Sequence, residues 1–103
     1  MTRSGGKQLL QKLSAAAAPF VVRAERNPDS LMPDLVFNDS ECRELARLRW
    51  FDGIHDQPYF RTIIPVEVSE SEQRAVEQRI TTHVAPVILD HFSYAAWMAL
   101  ADA

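Results

Sequence analysis

Apolar residues recur along this chain with two different periods, and the changes of period divide it into short elements. Between Lys7 and Ala18, Leu9, Leu10, Leu13, Ala16 and Ala17 fall on one broad helical face, with Lys7, Gln8, Gln11 and Lys12 elsewhere. Pro19 stops that helix. The period then drops to two: Phe20, Val22 and Ala24 alternate with Val21, Arg23 and Glu25, as in a half-buried strand. Between Pro28 and Pro33 each proline disfavours helix in the residue before it, which predicts a surface loop. Leu35, Val36 and Phe37 suit a second, short strand.

Asn38, Asp39 and Ser40 carry side-chain oxygens able to cap a helix, and Asn38 and Glu41 have capping-box spacing. A helix is therefore expected from there to about Phe51, closed at Gly53. Advancing about 100° per residue, it would align Arg43, Arg47, Trp50 and Ile54 in one stripe and turn Cys42, Leu45 and Leu48 inward. After a loop at 55–58, Tyr59 to Val68 alternates throughout, with Phe60, Thr62, Ile64, Val66 and Val68 on the apolar face. Pro65 cannot donate to a sheet ladder and argues for an edge strand or a bulge. Ser69 and Glu72 form a second capping-box pair, after which Val76, Ile80, Val84, Val87 and Ile88 recur at helical spacing. Pro86 either kinks this last element or divides it into a helix ending near His83 and another reaching about Ala101.

The order is helix, strand, short strand, helix, strand, then one kinked helix or two. It defines an α+β fold in which a small antiparallel sheet of two or three strands is covered by helices. An all-α bundle is the alternative, and it requires the Phe20 and Phe60 segments to be loops despite their alternation. Residues 1–6 lack periodicity and are expected to be a flexible N-terminus, leaving 7–103 as a single domain.

Composition adds few constraints. At 103 residues and 11.7 kDa the chain suits one domain, and 47% apolar with 24% charged residues excludes disordered and fibrous classes. Cys42 is the only cysteine, so no intramolecular disulfide forms, and a reducing, cytoplasmic setting is expected. Gln11 and Lys12 interrupt any signal-peptide core, and Asp90 and His91 sit in the middle of the most apolar window, Val84 to Ala101, so no membrane association is expected. Residues 1–26 hold five cations against Glu25 alone, whereas the remainder holds six arginines against thirteen carboxylates. That basic head is diluted well below a polybasic cluster, which leaves weak nucleic-acid binding as a disfavoured alternative. Nine arginines to two lysines, with abundant alanine, associate with a GC-rich bacterial or phage genome.

Chemical motifs are sparse. With three glycines, neither a phosphate-cradling loop nor a dinucleotide fingerprint can be built. His83 and His91 would be about 12 Å apart along one continuous helix, too far to share a metal. His55 lies between Asp52 and Asp56, a setting for a ligand or a general base, though its spacing matches no metal motif. A small ligand-binding or enzymatic domain using His55, Asp52 and Asp56 is thus the second functional reading. The first is a non-catalytic protein–protein interaction module: a small subunit, adaptor or inhibitor occupying a surface of a larger protein, or a homodimer. No catalytic residue, metal or cofactor is assigned. Its candidate contacts are Arg43, Arg47, Trp50 and Ile54, because arginine and tryptophan combine large contact area with oriented donors. Pro65 joins them as a mark of an exposed sheet edge, and Trp97 because the aromatic residues around the final helix exceed what one packed face consumes.

Overall fold

The proline after α1 (Thr2–Ala17) turns the chain through a cis Ala18–Pro19 bond into β1 (Val21–Glu25). The computed structural model describes residues 2–30, 32–51, 59–91 and 93–102. Three further strands follow, β2 (Asp34–Asn38), β3 (Glu44–Phe51) and β4 (Tyr59–Ile63). Then come α2 (Glu70–Arg79), a π-helical turn at Ile80–Val84, α3 (Ala85–His91), α4 (Tyr94–Ala99) and a closing 3-10 turn at Leu100–Asp102. The sheet is antiparallel in the order β1-β2-β3-β4, so the fold is α+β as expected, with four strands rather than two or three.

The additional strand is the segment expected to be a helix. Ala46, Leu48 and Trp50 alternate with Arg47 and Arg49, and pairing with β2 gives the former a common buried side: Leu48 sits opposite Leu35, and Ala46 opposite Phe37. The capping signals before it serve a turn instead. One Asp39 carboxylate oxygen accepts from the backbone N–H groups of Glu41 and Arg43, both at 2.9 Å, and the Asp39 N–H closes the turn onto the Arg43 carbonyl at 3.0 Å. Buried Asn38 holds the Cys42 carbonyl at 3.1 Å. Cys42, expected on an inner helix face, is exposed in this turn with φ 64°. The register shifts between Phe37 and Asn38, and Leu45 beside the shift joins the core.

The core lies between one face of the sheet and the helices. Val22, Leu35, Phe37, Ala46, Leu48 and Trp50 meet Leu9, Leu13 and Ala17 of α1, Val76 of α2, and Ile80, Val84 and Ile88 of the following turns. Complete burial of such side chains contributes about 1.5–3 kcal/mol each, the dominant favourable term in a domain this small. The first helix begins at Thr2, so residues 2–6, expected as a free end, are helical. Gly6 has a packing reason: a Cβ there would lie 2.8 Å from Ala99, so the backbones of α1 and α4 approach as only glycine allows.

The alternating segment at Tyr59 is shorter than expected. The β4 strand stops at Ile63; Pro65 lies beyond it, its carbonyl accepting from the Val68 N–H at 3.1 Å in the turn that leads to α2. Ser69 and Glu72 form the anticipated capping box. Around Pro86 the helical path neither ends near His83 nor runs on to Ala101: α2, the π turn and α3 follow without a gap to His91, and α4 begins at Tyr94. The π turn lies just before the proline, with the Ala85 N–H reaching back five residues to Ile80. Ser93 caps α4 through the Ala96 N–H. Among the described residues no helix is long and apolar enough to cross a membrane.

Candidate interaction surface

The core occupies one face of the sheet, and strand alternation assigns the other face to a different set of residues. Arg23 sits opposite Val36, Val36 opposite Arg47, and Arg47 opposite Ile63; beside this row, Glu25 sits opposite Asp34, and Arg49 opposite Arg61. Asp34 is the hub. It is 1% exposed, and its carboxylate accepts from Arg47 Nη1 at 2.9 Å, Arg49 Nη2 at 2.9 Å and Arg49 Nε at 3.2 Å. Arg47 also donates in bidentate fashion to Glu44, Nε to Oε2 at 3.0 Å and Nη2 to Oε1 at 2.6 Å, and reaches Glu25 Oε1 at 3.3 Å. Glu25 in turn accepts from Arg23 Nη1 at 2.6 Å. Among the described residues no buried side-chain polar atom lacks a partner.

Charge and packing support each other here. Val36 is 0% exposed although it lies on this outer face, in register between Arg23 and Arg47. The hydrogen bonds from Arg23, helped by the charge of Arg47, hold the Glu25 carboxyl below its ordinary value. Glu44 is the main cause of the raised Arg47 pKa and Asp34 of the raised Arg49 pKa, so both guanidiniums stay charged at any ordinary pH. Arg47 and Arg49 therefore carry fixed positive charge on this face, oriented by their carboxylate partners. At its edge, on β1, Val21 is 56% exposed.

Of the residues singled out in the sequence, this surface contains Arg47 alone. The stripe of Arg43, Arg47 and Trp50 does not form: in a strand, residues three apart point to opposite faces, whereas in a helix they share one. Trp50 is 7% exposed and faces the core. Its ring lies 5.2 Å from Phe60, whose ring lies 4.5 Å from Trp97. Trp97 is 0% exposed and donates from Nε1 to the Pro33 carbonyl at 3.1 Å, so both tryptophans are core residues rather than surface anchors. Arg43 fastens the turn before β3, donating from Nε to Asp39 at 3.1 Å and pairing with Glu72 of α2. Pro65 is in the turn described above. Ile54 lies outside the described residues, as do Asp52, His55 and Asp56.

Arg49, Asp34, Glu25, Glu44 and Val21 are the residues that sequence reasoning missed. The available signal was the two-residue alternation of Arg47 and Arg49 with Ala46, Leu48 and Trp50, together with a carboxylate directly before the apolar run Leu35, Val36, Phe37. Fold and surface together define a two-layer α+β protein with a charged, ion-paired outer sheet face. No protein-family model, curated protein or solved structure matches the chain.

Proposed function

We propose that this chain is a non-catalytic protein–protein interaction module, an adaptor, inhibitor or small subunit that docks a larger protein against the outer face of its sheet. The observation that carries the reading is the Arg47–Asp34–Arg49 clamp on the sheet face away from the core. Long side chains usually lose about 0.5–1.5 kcal/mol of rotamer freedom when an interface immobilises them. Arg47 and Arg49 are already held by their carboxylate partners, so much of that cost is met in folding, while Arg49 keeps the larger exposed part at the sheet surface. Exposed Val21 on β1 supplies apolar area on the same face. The mixture of both charge signs suits a mixed protein surface better than a phosphate backbone, which rewards a single sign.

The test compares capture by the tagged chain with capture by Val21→Lys, by Arg49→Ala, and by Val66→Lys at a 98% exposed site in the turn after β4. A stoichiometric partner retained by wild type and Val66→Lys but lost by the other two supports the docking face. Equal capture by all four chains, or no stoichiometric partner for any, overturns it.

A further inference from the structure

A cleft of about 370 Å³ opens where the turn after α1 meets the end of α2 and the π turn. Pro19 and Phe20 line it from the turn after α1, and Ala75, Gln78, Arg79, Thr82 and His83 from α2 and the π turn. Arg79 and His83 are four residues apart on a continuous helical path and share a side. Neither side chain makes a hydrogen bond or ion pair with another described residue, in contrast to those of Arg23, Arg43, Arg47, Arg49 and Arg74, each paired with a carboxylate. An arginine that lines a cleft with no acid partner among the described residues differs from the ion-paired arginines above.

The backbone adds a second observation. Ala85 donates to Ile80 rather than one residue later, and Pro86 has no N–H, so the turn at Ile80–Val84 is widened where Thr82 and His83 line the cleft. Such turns interrupt regular helical bonding and recur at functional sites.

We infer that this cleft binds a small organic anion: a carboxylate whose charged end pairs with Arg79 and His83 and whose apolar body lies against Phe20, Pro19 and Ala75. The guanidinium can take both carboxylate oxygens in parallel, and the Thr82 hydroxyl offers a further donor. The volume is at the small end of ordinary ligand sites, which fits a benzoate-sized molecule. The site is built from other residues than the outer sheet face, and its test is independent of partner docking.

The probe is benzoate at neutral pH, titrated into the full chain and followed by backbone amide shifts. Saturable shifts confined to Phe20, Ala75, Thr82, His83 and their neighbours are expected, weakened about tenfold or more by Arg79→Gln, as loss of a charge-assisted pair implies. Ala75→Trp, which fills the cleft from an exposed position, should abolish them. Benzamide, of the same shape without the charge, should produce no saturable shift. The proposal falls if benzoate gives no saturable shift, if benzamide matches it, or if Arg79→Gln binds it as well as wild type.

Discussion

Arg49 and Trp50 are neighbours in sequence, yet they belong to opposite faces of the sheet with different reasons for being stable. On the inner face Trp50 is buried by other apolar groups, with Phe60 against it and Trp97 against Phe60. On the outer face Asp34 is as thoroughly buried, but there its carboxylate is held by the side chains of Arg47 and Arg49. Equal burial therefore has two causes, and they fail differently. The inner face responds to lost volume, whereas the outer face responds to lost pairing, because a carboxylate withdrawn from water is tolerated only while its donors remain.

The largest expected effect comes from the inner face. Trp50→Ala and Trp97→Ala should each lower unfolding free energy by about 3–5 kcal/mol in urea titrations. Trp97→Ala should be the worse of the two, since it also leaves the buried Pro33 carbonyl without its donor. A Trp50→Ala chain that kept full stability would place Trp50 on the surface and erase the contrast between faces.

Next comes the hub of the outer face. Asp34→Ala should cost about 2–3 kcal/mol, less than a core tryptophan, because the released guanidiniums are partly exposed and can be rehydrated. The same change in an Arg49→Ala background should cost measurably less, and this double-mutant difference isolates the pair. Additive losses would mean that Asp34 matters for some reason other than Arg49.

Much of the architecture was legible in the sequence where one signal acted alone. The Pro19 stop, the alternation of β1 and the Ser69–Glu72 box each had a single physical reading, and each element formed. Residues 38–51 carried two signals at once. Asp39 can satisfy backbone donors in a helix cap or in a tight turn with the same oxygen, and Arg43, Arg47 and Trp50 have helical spacing while Ala46, Leu48 and Trp50 have strand spacing. Pairing with β2 and β4 on both sides decided it, and such long-range contacts are invisible to a local window. The outer cluster was lost with that choice, since Arg47 and Asp34 meet only across paired strands. Ion pairs carry no sequence period, so the carboxylate before Leu35 marked Asp34 as a candidate without naming its partners.

Acid should sharpen the contrast by a smaller amount. Glu25, Asp39 and Glu72 all have carboxyl pKa values below their ordinary ones. The leading causes are the Arg23 side chain for Glu25, the Arg43 backbone N–H for Asp39 and the Ser69 hydroxyl for Glu72. A depressed folded pKa stabilises the protein above the unfolded value, and that stability is lost as pH falls through the folded one. Unfolding free energy should therefore hold from pH 7 to about 5 and decline below about 4, the ordinary range of free carboxylates. Glu25→Gln should flatten part of the decline, while Trp50→Ala should shift the whole curve without changing its shape. A profile unaltered by Glu25→Gln would remove the outer face as a source of the acid response.

The smallest expected stability change is at Val21, and its smallness is what gives it value. The residue is more than half exposed on an edge strand, where lysine is common and tolerated, so Val21→Lys should stay within about 0.5 kcal/mol of wild type. Partner capture should nevertheless fall sharply, because the substitution puts a strongly hydrated charge where a docked surface would cover apolar area. Asp34→Ala cannot separate these quantities, since it disturbs the fold and the arginine geometry together. Val21→Lys can, and wild-type stability combined with wild-type capture would take β1 out of the docking face and restrict any contact to Arg47, Arg49 and the strands beyond them.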